Sequence, residues 1–251
     1  MSETLLRLAD VRINFGALKA VDGVTLQVGA GERVAILGPN GAGKTTLFNA
    51  ITGMLRPSSG SVVLDGKDIT RATPNQRALH GIARTFQITN LFFGLSVREN
   101  LLLATRGLGK SKYSMWRSDL GTPSEQEVVD SALKKCHLKH KRELPVKELA
   151  YGEQRQLELA MSLTSSPRLL LLDEPAAGLS PAERGVMANV IRSLPPALSL
   201  ILIEHDIDLA LGLVERVVVM SQGAVLVEGK PDEIRRNAQV QEIYLGKPRR
   251  A

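Results

Sequence analysis

The sequence predicts an α/β protein: a phosphate-loop nucleotide-binding core, a small antiparallel β subdomain beside it and an inserted helical subdomain. Three observations predict this. A glycine-rich loop, Gly38-Pro39-Asn40-Gly41-Ala42-Gly43-Lys44-Thr45-Thr46, stands between an apolar run and a stretch that can start a helix. Two further apolar runs, Leu169-Leu170-Leu171-Leu172 and Leu200-Ile201-Leu202-Ile203, end in acidic or imidazole side chains. Between them and the loop, from about residue 91 to residue 165, the pattern turns to helical spacing.

Composition sets the frame. The 251 residues are 43% hydrophobic, enough for one large α/β domain or a core with a smaller lobe, and at 4% aromatic the core must be mostly aliphatic. The single cysteine, Cys136, rules out an intrachain disulfide and points to a reducing compartment. Met1-Ser2-Glu3-Thr4 begins no signal peptide, and the longest apolar runs fall far short of a membrane span. A net charge of +6 favours anionic partners in general, but no single-sign block forms a nucleic-acid arm.

In chain order, residues 5–15 alternate as a strand, residues 24–28 form another, and 61–64 closed by Asp65-Gly66 a third. These make the β-rich subdomain. Phe15 follows or ends its strand, where it either stacks on a purine or packs in the core. Arg33-Val34-Ala35-Ile36-Leu37 then delivers the chain to the loop. The loop fits G-x-x-x-x-G-K-[ST], whose glycines let backbone N–H groups wrap around phosphate oxygens while a helix N-terminus adds positive charge. Lys44 is expected to reach the β- and γ-phosphates of ATP, and the Thr45 hydroxyl to bind Mg²⁺.

Gly81-Ile82-Ala83-Arg84-Thr85-Phe86-Gln87 reads as a strand with a polar end. Residues 97–104 read as an amphipathic helix, residues 107–122 as a polar connector, and the stretch from Pro123 to about Cys136 as a helix capped by Ser124. Cys136, His137 and His140 lack a fourth ligand nearby and read as a solvated helix end rather than a zinc site. Leu149-Ala150-Tyr151-Gly152-Glu153-Gln154 opens a helix through Leu163. By itself this segment is an ordinary helix start that offers N–H groups to an anion.

The apolar run ending in Asp173-Glu174 fits a central parallel strand, whose carboxyl end is where such sheets bind ligands. Asp173 is placed to hold Mg²⁺ through water, and Glu174 to take a proton from the attacking water. His205, at the tip of the next apolar strand, is placed to reach the γ-phosphate. Residues 217–220 and 224–228 around Gln222-Gly223 read as a closing hairpin. Pro231-Asp232-Glu233-Ile234 starts a last short helix, and residues 247–251 form a basic tail.

The order of these elements resembles the ATP-binding cassette of ABC transporters, from about Leu6 to Gly246. The resemblance implies a RecA-like core from residues 1–90 and 166–251, with 91–165 as the helical subdomain. It makes Gln87 the residue that links the γ-phosphate and metal site to the helical lobe. Ala150, Tyr151, Gly152, Glu153 and Gln154 become the signature that contacts ATP on a second subunit. Ala177-Gly178-Leu179-Ser180 becomes the interface loop, His205 the switch histidine and Phe15 the adenine-stacking aromatic. Two positions depart from the pattern: Ala150 stands where the signature serine is usual, and Ser180 where the interface loop usually ends in aspartate. The first leaves anion recognition to backbone N–H groups and the helix dipole. The second puts a cross-interface carboxylate bond in doubt.

The segments G-I-A-R-T-F-Q, L-A-Y-G-E-Q, D-E-P-A-A-G-L and I-E-H-D, with Tyr244-Leu245-Gly246, look most like the larger ATPase subunit of branched-chain amino-acid importers. The implied partners are a second ATPase subunit, membrane permeases and, indirectly, a periplasmic or extracellular solute-binding protein, with no nucleic acid. The implied location is the cytoplasmic face of the membrane. The alternatives are the ATPase of another importer or of a lipopolysaccharide-type exporter, and a soluble cassette acting on ribosomes or DNA. The last class usually carries paired cassettes or coiled-coil arms, and this chain has no sustained heptads.

Overall fold

A computed structural model describes residues 3–85, 91–107 and 121–245, the side chains of 244 and 245 excepted. The chain opens with β1 (Thr4–Phe15) and β2 (Leu18–Gly29), then β3 (Arg33–Leu37), which runs through the glycine loop into α1 (Lys44–Thr52). β4 (Ser59–Leu64), β5 (Lys67–Asp68), α2 (Pro74–Leu79) and β6 (Ile82–Arg84) follow. Next come three helices, α3 (Val97–Gly107), α4 (Pro123–Lys135) and α5 (Tyr151–Leu163). The chain returns through β7 (Leu169–Asp173), α6 (Pro181–Arg192), β8 (Ser199–Ile203), α7 (Ile207–Leu211), β9 (Arg216–Ser221) and β10 (Ala224–Gly229), and closes with α8 (Pro231–Arg236) and α9 (Ala238–Leu245).

The strands form two sheets. The first is antiparallel, in the order β2-β1-β4-β5; the second runs β10-β9-β3-β8-β7-β6, with five parallel strands and β10 antiparallel at the edge. The apolar runs explain the second sheet. Side chains alternate between strand faces, and here both faces are covered. Val34, Ile36, Leu169, Leu171, Ile201 and Ile203 pack toward α1 and the antiparallel sheet. Ala35, Leu37, Leu170, Leu172, Leu200 and Leu202 pack on the opposite face with the residues of α3–α6. A strand buried on both sides has no use for alternation, so it reads as a continuous apolar run.

Several elements differ from the sequence reading. β2 extends across 18–29, and α2, α7 and α9 are short helices that the apolar pattern does not announce. β6 is three residues long; Phe86 and Gln87 lie outside the described residues, as do most of the connector and the basic tail. The cap of α4 is Thr122, not Ser124: the Thr122 hydroxyl accepts from the Glu125 amide at 3.3 Å, and the Thr122 amide donates to the Glu125 carboxylate at 2.7 Å. Pro123 causes the shift. A proline fits the first helical position, where its missing N–H costs nothing, and it drives the preceding residue into the extended conformation a cap requires. The hairpin turn is as expected, with Gln222 and Gly223 both at positive φ, the requirement of a two-residue type I′ turn.

A buried cation anchors the far end of α1. Arg77, 1% exposed, donates to the carbonyls of Ile51 at 2.8 Å, Thr70 at 3.0 Å and Ala72 at 3.1 Å, and also to Ala50. The guanidinium thus covers carbonyls that the helix end leaves unpaired and sits at the negative end of its dipole.

Candidate functional site

The glycine loop is built by close backbone contact. Gly38 has φ 149°, and a Cβ there would lie 2.2 Å from the Met220 carbonyl oxygen; Gly43 has φ 96°, and its Cβ would lie 2.4 Å from the Ala20 carbonyl oxygen. No residue with a side chain fits either place. Gly43 starts α1 with no side-chain cap and no acid in the first turn, which leaves the positive helix end open to an anion. Lys44, 6% exposed, folds back onto the loop, donating to the carbonyls of Gly38 at 2.7 Å and Pro39 at 3.0 Å. Burial lowers its pKa, while Glu174 and Asp173 pull it back up.

The loop faces a cleft of about 570 Å³. Phe15, Asn40, Gly41, Ala42, Gly43, Lys44, Thr45, Thr46, Glu174 and His205 line it, so most of the nucleotide-site residues picked out by the sequence converge. Gly38 and Pro39 lie behind the loop with their carbonyls on Lys44. Phe15 is 51% exposed on the cleft wall, which removes the core alternative for this ring. Lys19 and Gln222 also line the cleft and carry no motif.

The two carboxylates diverge at the end of β7. Asp173 points inward with a fully buried side chain, and its Oδ2 accepts from Arg84 Nη2 at 2.5 Å. Burial raises its pKa and Arg84 opposes the rise. Asp173 Oδ1 has no hydrogen-bond partner among the described residues. Glu174, forced to φ 52° after the strand, turns into the cleft, where His205 Nε2 is 2.8 Å from its Oε1. An orphaned buried carboxylate oxygen together with the exposed Thr45 hydroxyl on α1 is a hard-oxygen donor set, and it fits Mg²⁺. Gln87, the other expected metal-side residue, lies outside the described residues.

Sequence reasoning passed over Glu204. It is 4% exposed, and its carboxylate accepts from the Ala176 amide at 2.9 Å and the His205 amide at 3.2 Å, tying the turn after Glu174 to the turn that carries His205. Burial pushes its pKa up. The signal was an acid at the end of an otherwise apolar strand.

The predicted signature is elsewhere. None of Ala150, Tyr151, Gly152, Glu153 or Gln154 lines the cleft. Ala150 precedes α5 in the extended conformation, its amide donating to Glu153 Oε2 at 2.9 Å, and Gln154 Nε2 donates to the Leu149 carbonyl at 3.1 Å. The Gly152 amide donates to Glu183 Oε1 at 3.1 Å. The Tyr151 ring packs on Gly178, where a Cβ would come within 3.2 Å of it. Ser180 caps α6: its hydroxyl bonds Glu183 Oε2 at 2.6 Å. The residue that departs from the usual aspartate therefore has a local task within its own subunit.

A family profile described as ABC transporter matches residues 21–177. The chain belongs to the ABC transporter family. A second profile, described as branched-chain amino acid ATP-binding cassette transporter, matches residues 224–249 of this ABC subunit. The high-affinity branched-chain amino acid transport ATP-binding protein BraF of Pseudomonas aeruginosa is 38% identical, over 98% of this chain and 99% of its own. LivG of Escherichia coli, a protein of the same description, is also 38% identical, with the same coverage. Among solved structures, the ADP conformation of an ATP-binding cassette of an ABC transporter superposes with a TM-score of 0.85 at 32% identity, covering 98% of this chain and all of that one. The fold is that of an ABC ATPase cassette.

Proposed function

We propose that this ABC ATPase energises uptake of branched-chain or related hydrophobic amino acids through a separate membrane permease. The observation that carries the reading is the meeting of glycine loop, Glu174 and His205 in one cleft, with none of the signature residues in its lining. A site that holds its phosphate loop and signature apart is completed by a second subunit. Two ATP molecules would then be enclosed between the loop of one chain and Gly152 of the other.

In this reading Phe15 stacks on adenine, and the loop amides and Lys44 hold the phosphates. Lys44 leaves the Gly38 and Pro39 carbonyls for phosphate oxygens. Glu174 accepts a proton from the attacking water, the bond from the γ-phosphorus to the bridging oxygen breaks, and ADP and phosphate result. His205 holds the Glu174 carboxylate in place and turns to the γ-phosphate when the site is filled. Thr45, Asp173 and Gln87 are the groups that would hold Mg²⁺, which when bound would supply charge neutralisation for the phosphates.

The helical lobe of residues 91–165 carries the motion to the permease at the cytoplasmic face of the membrane. No described helix is long and apolar enough to cross a bilayer. Phe92 and Phe93, 56% and 45% exposed beside α3, supply an apolar contact for the permease. The test is reconstitution in vesicles with permease subunits and a solute-binding protein. Leucine, isoleucine or valine should stimulate ATPase activity, and Phe93→Asp should abolish the stimulation while the basal rate in solution survives. Stimulation by none of the three overturns the substrate assignment.

A further inference from the structure

Arg84 closes β6 and stands beside β7, in register with Leu171. Its guanidinium makes two directed bonds to two different elements. Nη2 donates to Asp173 Oδ2 at 2.5 Å, and Nη1 donates to Asn49 Oδ1 at 2.6 Å. The Cζ of the group lies over the Phe48 ring, 5.7 Å from its centroid. The arginine side chain is 11% exposed and the aspartate side chain is fully buried. This is a fixed arrangement inside the protein, held on three sides.

Asn49 sits four residues after Thr45 on α1, so the two share a helix face. Arg84 therefore connects the face of α1 that carries the Thr45 hydroxyl to the carboxylate at the end of β7. Those are the two described donors that fit Mg²⁺. Arg84 binds Oδ2, and Oδ1 has no hydrogen-bond partner among the described residues. A planar fork with separate donors can hold both partners at once, which a lysine ammonium on a flexible stem does not reproduce.

We propose that Arg84 is a positioning residue for the metal side of the nucleotide site, setting the spacing and orientation of Asp173 relative to Thr45. The proposal rests on the reading of Asp173 and Thr45 as the Mg²⁺ side of that site. Arg84 touches neither nucleotide nor metal in this role; it acts through Asp173 and Asn49. A purely structural role predicts loss of stability and of nucleotide affinity in all conditions. The positioning role predicts a loss specific to Mg²⁺.

The experiment measures binding of a fluorescent ATP analogue to the full chain, in EDTA and across a MgCl₂ titration, with melting temperature recorded for each variant. For Arg84→Lys, affinity in EDTA should stay within about twofold of the native chain. The Mg²⁺ concentration giving half of the affinity gain should rise at least about tenfold. Asn49→Ala, which leaves the ion pair intact, should shift that midpoint in the same direction by a smaller factor. In the Asp173→Asn background, Arg84→Lys should add no further shift, since both act through one carboxylate. An unchanged Mg²⁺ midpoint in Arg84→Lys overturns the proposal. So does an equal loss with and without Mg²⁺, or additive shifts in the double variant. A native chain that gains no affinity from Mg²⁺ would instead overturn the metal reading of Asp173 and Thr45 beneath it.

Discussion

His205 Nε2 lies 2.8 Å from Glu174 Oε1, joining the tips of two neighbouring parallel strands in the lining of the cleft. The pair is held from behind, because Glu204 binds the amides of Ala176 and His205. Glu174→Gln keeps the shape of the contact and removes the base. ATP binding should persist while turnover falls about 10²–10⁴-fold, the usual contribution of a positioned general base. Size-exclusion chromatography should then show ATP-dependent dimers. An ATPase rate near that of the native chain would exclude Glu174 as the base.

The separation of signature and cleft gives a second prediction. If the site is shared as proposed, Lys44→Ala removes a phosphate contact from one subunit and Gly152→Asp spoils the signature of the other, where even a Cβ would lie 2.8 Å from Glu183 Oε1. Each variant alone should be inactive. Mixed, they should recover at most one working site per heterodimer, measured as phosphate release. Full activity from an isolated chain at nanomolar concentration would contradict the shared site.

Phe15 is half exposed, so its removal should not disturb the core. Phe15→Ala should weaken ATP binding by about 1–3 kcal/mol, as for other base–aromatic stacks. The melting temperature of the nucleotide-free protein should hardly change, and Phe15→Tyr should bind as the native chain does. Affinity and apo stability are read in parallel; a drop in stability with unchanged affinity would assign the ring to packing.

Cys136 follows α4 with no exposed surface, packed with Val129, Leu133 and Leu138. Burial pushes its thiol up to about 12. Since only the thiolate attacks, an aromatic disulfide reagent at pH 8 should not label the folded protein and should take up one equivalent on denaturation. The labelling rate without denaturant then measures opening of the helical lobe. Rapid labelling of the native chain would mean that the lobe is not packed around Cys136 as described.

The sequence made some of this site plain and hid the rest for a physical reason. Gly38 to Thr46 is legible because one local spacing dictates its chemistry. The strands ending at Leu37, Asp173 and Ile203 are legible because burial on both faces writes an unbroken apolar run. Arg84 gave no such signal. It sits in a segment read as a strand, and its meaning comes from Asn49 and Asp173, distant in sequence and brought to it only by the parallel sheet. The bond from Gly152 to Glu183 is hidden in the same way, since nothing near either residue names the other. Thr122 was missed for a local cause, because the cap depends on which residue precedes the proline.

The placement of β3 also bears on how the protein is made. Its hydrogen-bonding neighbours are β8 and β9, both in the last third of the chain. At about 5–20 residues per second, a ribosome finishes those strands roughly 10–40 s after β3 has been synthesised. Throughout that interval Val34, Ala35, Ile36 and Leu37 have neither edge paired in their final sheet. The glycine loop likewise lacks its contact with β9 during that time, since Gly38 packs against the Met220 carbonyl. Completion of the central sheet around β3 therefore waits on the last third of the chain.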